Sequence, residues 1–243
     1  MNDTTISEHR LTLAEVLGMM VDDGLLEAEE ANTLRAERKL HGDRTHPLVV
    51  IAEQKFRNLK LPARLLTLEV LTEWLANRVG LAYLHIDPLK VDFSGVADVM
   101  SSAYAARFTI LPVEINAREV VIATAEPYVR EWEKELVHIL RKDIRRVMAT
   151  PTDIARYLVE FFNLAKSIKK ASLKGNVNAS ISSFEQLVDL GKTNRPLDAN
   201  DQHVVHIVDW LWQYAFDQRA SDIHVEPRRD LGIVRFRIDG VLH

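Results

Sequence analysis

A chain of 243 residues, 47% of them apolar, with a formal net charge of −4, has material for one large or two ordinary domains with real cores. The acidic balance excludes bulk nucleic-acid binding, which needs a basic surface; the absence of cysteine excludes disulfides and thiolate metal sites and permits a reducing compartment. The amino terminus lacks the basic start and apolar centre of a signal peptide, and no apolar run approaches the roughly 20 residues needed to cross a bilayer, so membrane association is expected through a partner and not by direct insertion.

Residues 1–45 read as a helical segment. Leu13, Val16, Leu17 and Met20 recur at helical spacing, and Asp22-Asp23-Gly24 supplies a stop. A second helix follows, with Glu27, Glu29 and Glu30 in its first turn and Arg35, Arg38 and Lys39 in its last, each group placed to oppose the helix dipole and face solvent. Residues 46–165 read as an α/β unit. Helices are expected near 47–58 and 67–79, a buried strand at Val120–Ala123, and a closing helix from about Thr152 to Ala165, capped by Thr152 or Asp153. His85-Ile86-Asp87-Pro88 reads as a turn. Residues 166–200 change character: Lys166, Lys169, Lys170 and Lys174 precede a Gly-, Asn- and Ser-rich stretch, the composition of an interdomain linker. Within it, Phe184, Leu187, Val188 and Leu190 suit a short docking helix.

Residues 201–243 start a further domain with an amphipathic helix. Its Trp210, Trp212, Tyr214 and Phe216 fall on more than one face, so some of them serve a domain or subunit contact. Two alternating runs then face each other across a turn containing Pro227 and Gly232, which predicts an antiparallel hairpin. Period two puts Asp222, His224 and Glu226 on one side of the first strand and Arg235 and Arg237 on one side of the second; Ile223, Val225, Val234, Phe236 and Ile238 take the buried side. The fold class expected is therefore mixed α/β (α+β).

Two chemistries compete for that polar face. Asp222, His224 and Glu226 have the donor types of a divalent metal site, but same-face residues along a strand sit about 6.5 to 7 Å apart. The two arginines would also repel a cation while pairing well with carboxylates. An ion-pair scaffold is the better expectation and no metal site is assigned. His203 and His206, three apart on a helix, lack further donors. No Gly-x-Ser-x-Gly elbow occurs.

The strings Ala220-Ser-Asp-Ile-His-Val-Glu-Pro and Val234-Arg-Phe-Arg-Ile-Asp-Gly-Val-Leu closely resemble the signature of the secretion superfamily ATPases, the hexameric motors of type II secretion and type IV pilus assembly. A looser likeness to the family's amino-terminal domain runs through Leu66–Leu71, Gly80-Leu81, Leu111-Pro112-Val113, Val120–Ala123 with Glu126-Pro127, and Thr152-Asp153-Ile154. The resemblance implies the amino-terminal region of a cytoplasmic motor, most like that of type II secretion, with pilus assembly as the alternative. It implies that Arg219, Arg235 and Arg237 contact ATP phosphates, with Asp222, His224 and Glu226 in support. ATP and Mg2+ would be bound by the longer homo-hexameric protein, which docks on the cytoplasmic domain of an inner-membrane platform protein.

The family's phosphate-binding loop, Gly-x4-Gly-Lys-Ser/Thr, is not in this sequence. Gly191-Lys192-Thr193 comes nearest, but Gln186 stands where the first glycine is needed. No catalytic residue is assigned, and residues 1–243 alone are expected to be inactive. Some superfamily members bind cyclic di-GMP through a motif with Arg-Leu-Gly followed by Gly-Leu-Ile. Here Leu17-Gly18 and Gly24-Leu25-Leu26 resemble it, with Val16 in the arginine's place, so a regulatory nucleotide module is a further alternative.

Overall fold

The computed structural model describes residues 8–38, 45–61, 63–91, 93–175, 202–227 and 232–243. They form two compact units, Met1–Ile86 with Ala103–Leu158 and Asp87–Ser102 with Val159–His243.

In the first unit, α1 (Leu13–Asp22), α2 (Ala28–Arg38), α3 (Pro47–Glu53) and α4 (Leu68–Val79) come first. Thr12 opens α1 with a capping box: its hydroxyl accepts the Glu15 N–H at 3.2 Å, and the Glu15 carboxylate accepts the Thr12 N–H. Such reciprocal capping is worth about 1 kcal/mol. The helix stops where Asp22-Asp23-Gly24 requires, with Gly24 at φ +67°. Thr67 caps α4 through the Val70 N–H, and Gly80 ends it in the left-handed region. Val16, Leu17 and Met20 of α1 are fully buried and join Leu34, Leu48, Ile51, Leu71 and Leu75 in one core. The helical spacing thus translates directly into packing.

The same unit contains a mixed sheet of β1 (Ala82–Tyr83), β2 (Ile110–Ile115), β3 (Glu119–Thr124) and β4 (Asp143–Met148), ordered β1-β4-β3-β2. The β2–β3 pair is antiparallel; β3–β4 and β1–β4 are parallel. Val120–Ala123 is buried, as expected of a central strand. The Asn116 side chain closes the β2–β3 turn by accepting the N–H groups of Arg118 and Glu119 at 2.9 and 2.7 Å. Helices α6 (Ser102–Phe108) and α7 (Glu131–Leu140) belong here too, and Trp132 of α7 is fully buried.

Helix α8 spans Pro151–Gly175. Its cap is Thr150, not Thr152 or Asp153: the Thr150 hydroxyl accepts the Asp153 N–H at 3.1 Å and donates to the Asp153 carboxylate at 2.6 Å. Proline at the first helical position fixes that frame. The helix also continues beyond Ala165, so Lys166, Lys169, Lys170 and Lys174, which composition assigns to a linker, lie on helical backbone. Residues 176–201, including Gly191-Lys192-Thr193, and the turn residues 228–231 lie outside the described residues. So do the side chains of His203 and His206.

The second unit holds α5 (Phe93–Val99), the later turns of α8, α9 (Gln202–Asp217), and a sheet of β5 (Asp222–Pro227), β6 (Gly232–Ile238) and β7 (Val241–Leu242) in the order β5-β6-β7, all antiparallel. Phe236 is fully buried and meets Tyr214 edge-on at 4.8 Å; Trp210 stacks on Tyr214 and donates from Nε1 to Glu160 at 3.1 Å. Burial pushes the Tyr214 hydroxyl up to about 12. Trp212 and Phe216 form the other ridge and are 55% and 73% exposed.

Candidate functional site

The hairpin register is the one that alternation predicts. Asp222 lies opposite Arg237, and His224 opposite Arg235. Arg237 donates from Nε to Asp222 at 3.1 Å and from a terminal nitrogen to the Gly240 carbonyl at 3.3 Å; Arg235 reaches Glu226 at 3.4 Å. Both pairs are partly exposed, where an ion pair contributes at most about 1 kcal/mol. The guanidiniums are held in place with donors to spare. His224 takes no part in holding them, and its Nε2 is buried without a hydrogen-bond partner. Val225 departs from expectation: it is exposed, and of the apolar face only Phe236 is fully buried. Among the described residues, no group of three or more His, Asp or Glu converges as a metal site.

Arg219 is positioned by the end of α9. The Ala220 N–H reaches back to the Ala215 carbonyl at 2.8 Å and the Arg219 N–H to that of Phe216 at 3.0 Å, a six-to-one and five-to-two pair that makes a Schellman ending. Arg219 occupies its left-handed position, φ 53°, where glycine is normal and a side chain costs roughly 1 kcal/mol or more. Lys55, Thr109, Arg141 and Asp239 share this left-handed backbone, which carries a conformational cost that glycine avoids.

The first unit contains a second polar arrangement that the sequence does not advertise. A cavity of about 680 Å³ is lined by Arg10, Thr12, Arg38, His46, Glu126 and Thr152, among others. His46 is the cap of α3: Nδ1 accepts the Leu48 N–H at 3.2 Å and Nε2 donates to the Ala125 carbonyl at 3.3 Å. Those two bonds define a neutral imidazole, and burial holds it there by depressing its pKa to about 4. Glu126 accepts the Leu11 N–H at 2.8 Å, and burial raises its carboxyl above the ordinary value. Its Oε1 is 3.7 Å from His46 Nε2, beyond hydrogen-bond reach. His46 before Pro47 is the one local signal that was available: a cap residue ahead of a proline at the first helical position. Its proximity to Glu126 is invisible in sequence because the two lie far apart in it. Val16, in the place of the motif arginine, is fully buried in the core.

Residues 79–168 match the family model of the MshEN domain. The type IV pilus assembly ATPase TfpB of Acinetobacter baylyi is 40% identical over 199 residues, which is 82% of this chain and 34% of that protein. The type II secretion system protein E of Xanthomonas campestris pv. campestris is 46% identical over 44 residues, 18% of this chain and 8% of that protein. Among solved structures, that of MshE with cdg covers 63% of this chain and all of that one at 14% identity, with a TM-score of 0.41. The chain spans about a third of the length of TfpB.

The helix-and-sheet unit that contains most of residues 79–168 thus bears an MshEN domain. The chain is an amino-terminal region of the secretion ATPase family, shared with pilus-assembly and type II secretion ATPases. Among the described residues, no helix is long and apolar enough to cross a membrane.

Proposed function

We propose that this chain serves a hexameric type IV pilus assembly ATPase, holding the motor at the cytoplasmic face of an inner-membrane platform protein and lending Arg219, Arg235 and Arg237 to the phosphates of Mg-ATP. The pilus system is preferred to type II secretion because the likeness to TfpB extends along 82% of the chain, whereas that to the secretion protein E covers 18%. The observation that carries the arginine role is the paired display of Arg235 and Arg237 on one hairpin face, steadied by Glu226 and Asp222 without being buried by them. Guanidinium is permanently charged and planar, so it can grip phosphate oxygens in a bidentate way and offset charge developing on the transferred phosphoryl group.

In the longer ATPase that carries this chain, Arg237→Ala lowers turnover at least about tenfold while changing folding stability by less than about 1 kcal/mol. Lysine at the position rescues only part, since a point charge cannot reproduce the fork. An earlier-melting variant with normal turnover would reduce the arginine to a scaffold. Deleting the gene should abolish surface pili and leave protein secretion intact.

A second reading, cyclic di-GMP binding by the first unit, is favoured by one observation: Arg10 and Arg38 line a cavity of nucleotide size. Against it, Val16 replaces the motif arginine and is buried. Calorimetric titration of the chain with cyclic di-GMP separates the two.

A further inference from the structure

The segment joining α3 to α4 has an unusual surface for so acidic a protein. Lys55, Arg57, Lys60 and Arg64 are all exposed, and no acidic residue stands between Glu53 and Glu69. Among the described residues, none of the four forms an ion pair within 4 Å. The nearby Asp23 is engaged by Arg78 and by Trp74 Nε1, and Lys60 adds only a weaker electrostatic attraction to it. Between the cations, Leu59, Leu61 and Leu65 are 42%, 53% and 45% exposed.

Fraying does not account for this exposure, because the backbone is tied down. Arg57 and Leu65 pair across an antiparallel bridge, which places their side chains on one face. Asn58 is buried and its side-chain oxygen accepts the Lys60 and Leu61 N–H groups at 2.9 and 3.3 Å. The Leu59 N–H is bonded to the Leu25 carbonyl and the Leu66 N–H to that of Phe56. Hydrogen-bonded backbone on either side of residue 62 therefore holds three leucines outward among four cations.

We infer that this loop is a peripheral contact for an anionic lipid bilayer, its leucines entering the headgroup boundary while Lys55, Arg57, Lys60 and Arg64 meet lipid phosphates. The charge is complementary to such a surface, and leucine flanked by long basic side chains suits its apolar-to-polar gradient. A stable protein partner needs roughly 800 Å² of each surface, more than one short loop presents; a bilayer requires no matching groove. This adds a direct lipid contact to the partner-mediated association that composition suggests, and does not depend on the ATP-site reading.

The test is co-sedimentation of the purified chain with phosphatidylcholine vesicles, with and without phosphatidylglycerol. The wild-type chain is expected to sediment with the anionic vesicles only. Replacing the four cations together (Lys55→Gln, Arg57→Gln, Lys60→Gln, Arg64→Gln) should weaken partition at least about a hundredfold, on a scale of about fivefold per cation near an anionic surface. Leu61→Ala should weaken it several-fold, and both variants should keep the wild-type melting temperature because the altered side chains are exposed. With no native cysteine, Leu61→Cys accepts a single environment-sensitive fluorophore, whose emission should shift to the blue on anionic vesicles. Failure of the wild-type chain to sediment, or undiminished binding by the variants, overturns the inference. Saturable binding to polyglutamate without vesicle binding would overturn it in favour of an acidic protein partner.

Discussion

The two units use polar side chains in opposite ways. Glu126 in the first is buried and His46 partly so, each satisfied by backbone groups, His46 tying α3 to the end of β3 and Glu126 holding Leu11. Arg235 and Arg237 in the second are partly exposed and satisfied mainly by carboxylates on the neighbouring strand. Buried groups whose partners are removed forfeit a desolvation cost already incurred, whereas exposed ion pairs exchange readily with water. The first arrangement therefore fixes geometry, and the second leaves charge available to a ligand.

Removing His46 should have the largest effect. His46→Ala takes away the cap of α3 and strands the Ala125 carbonyl, and should cost about 2–3 kcal/mol by urea unfolding at neutral pH; a loss no greater than that for Arg237→Ala would erase the contrast between the units. Comparable in size is a pH effect. The folded pKa of His46, about 4, lies below the unfolded value of 6.5, so the folded state resists a proton that the unfolded state accepts. Its stabilising contribution is complete above pH 6.5 and is lost as pH falls toward 4. Glu126, raised in the fold, acts in the opposite direction and gains stability as it protonates; Arg10 nearby opposes protonation of His46. Comparing wild type with His46→Asn, which can still cap but does not titrate, isolates the imidazole: the wild type should lose about 3 kcal/mol more across that interval. Parallel stability curves would show that the imidazole is not held neutral by the fold. The smallest effect has the reverse sign. Arg219→Gly should stabilise the second unit by up to about 1 kcal/mol by relieving the left-handed backbone, while lowering turnover in the longer ATPase. Unchanged turnover would remove Arg219 from the phosphate site and leave its backbone conformation without a function.

Much of this was legible where one physical rule acted alone. Thr12 with Glu15, Thr67, and the Asp22-Asp23-Gly24 stop are local capping devices, and the hairpin register follows from period two once the turn is fixed. Legibility failed where tertiary context intervened. β4 reads Asp-Ile-Arg-Arg-Val-Met, charged enough to hide a strand, and Pro112 disguises β2, whose register shifts between Pro112 and Glu114. Thr152 and Asp153 were the expected caps, but Pro151 takes the first helical position and leaves the cap to Thr150. Val225 follows the alternation rule yet remains exposed, since alternation assigns a face and not what covers it. His46 and Glu126 come together only through the fold, so spacing could not pair them.

The short strand β1 has a consequence for solubility. It pairs Ala82 with Val147 and Tyr83 with Met148, and among the described residues the outer side of β4 from Asp143 to Arg146 has no strand neighbour on that side. An uncovered strand edge is a template for pairing with another chain, and natural sheets blunt such edges with charge. The uncovered half carries Asp143, Arg145 and Arg146, while the apolar pair Val147 and Met148 lies under β1. Two residues of strand and three charges thus divide the work of keeping this sheet from growing by aggregation.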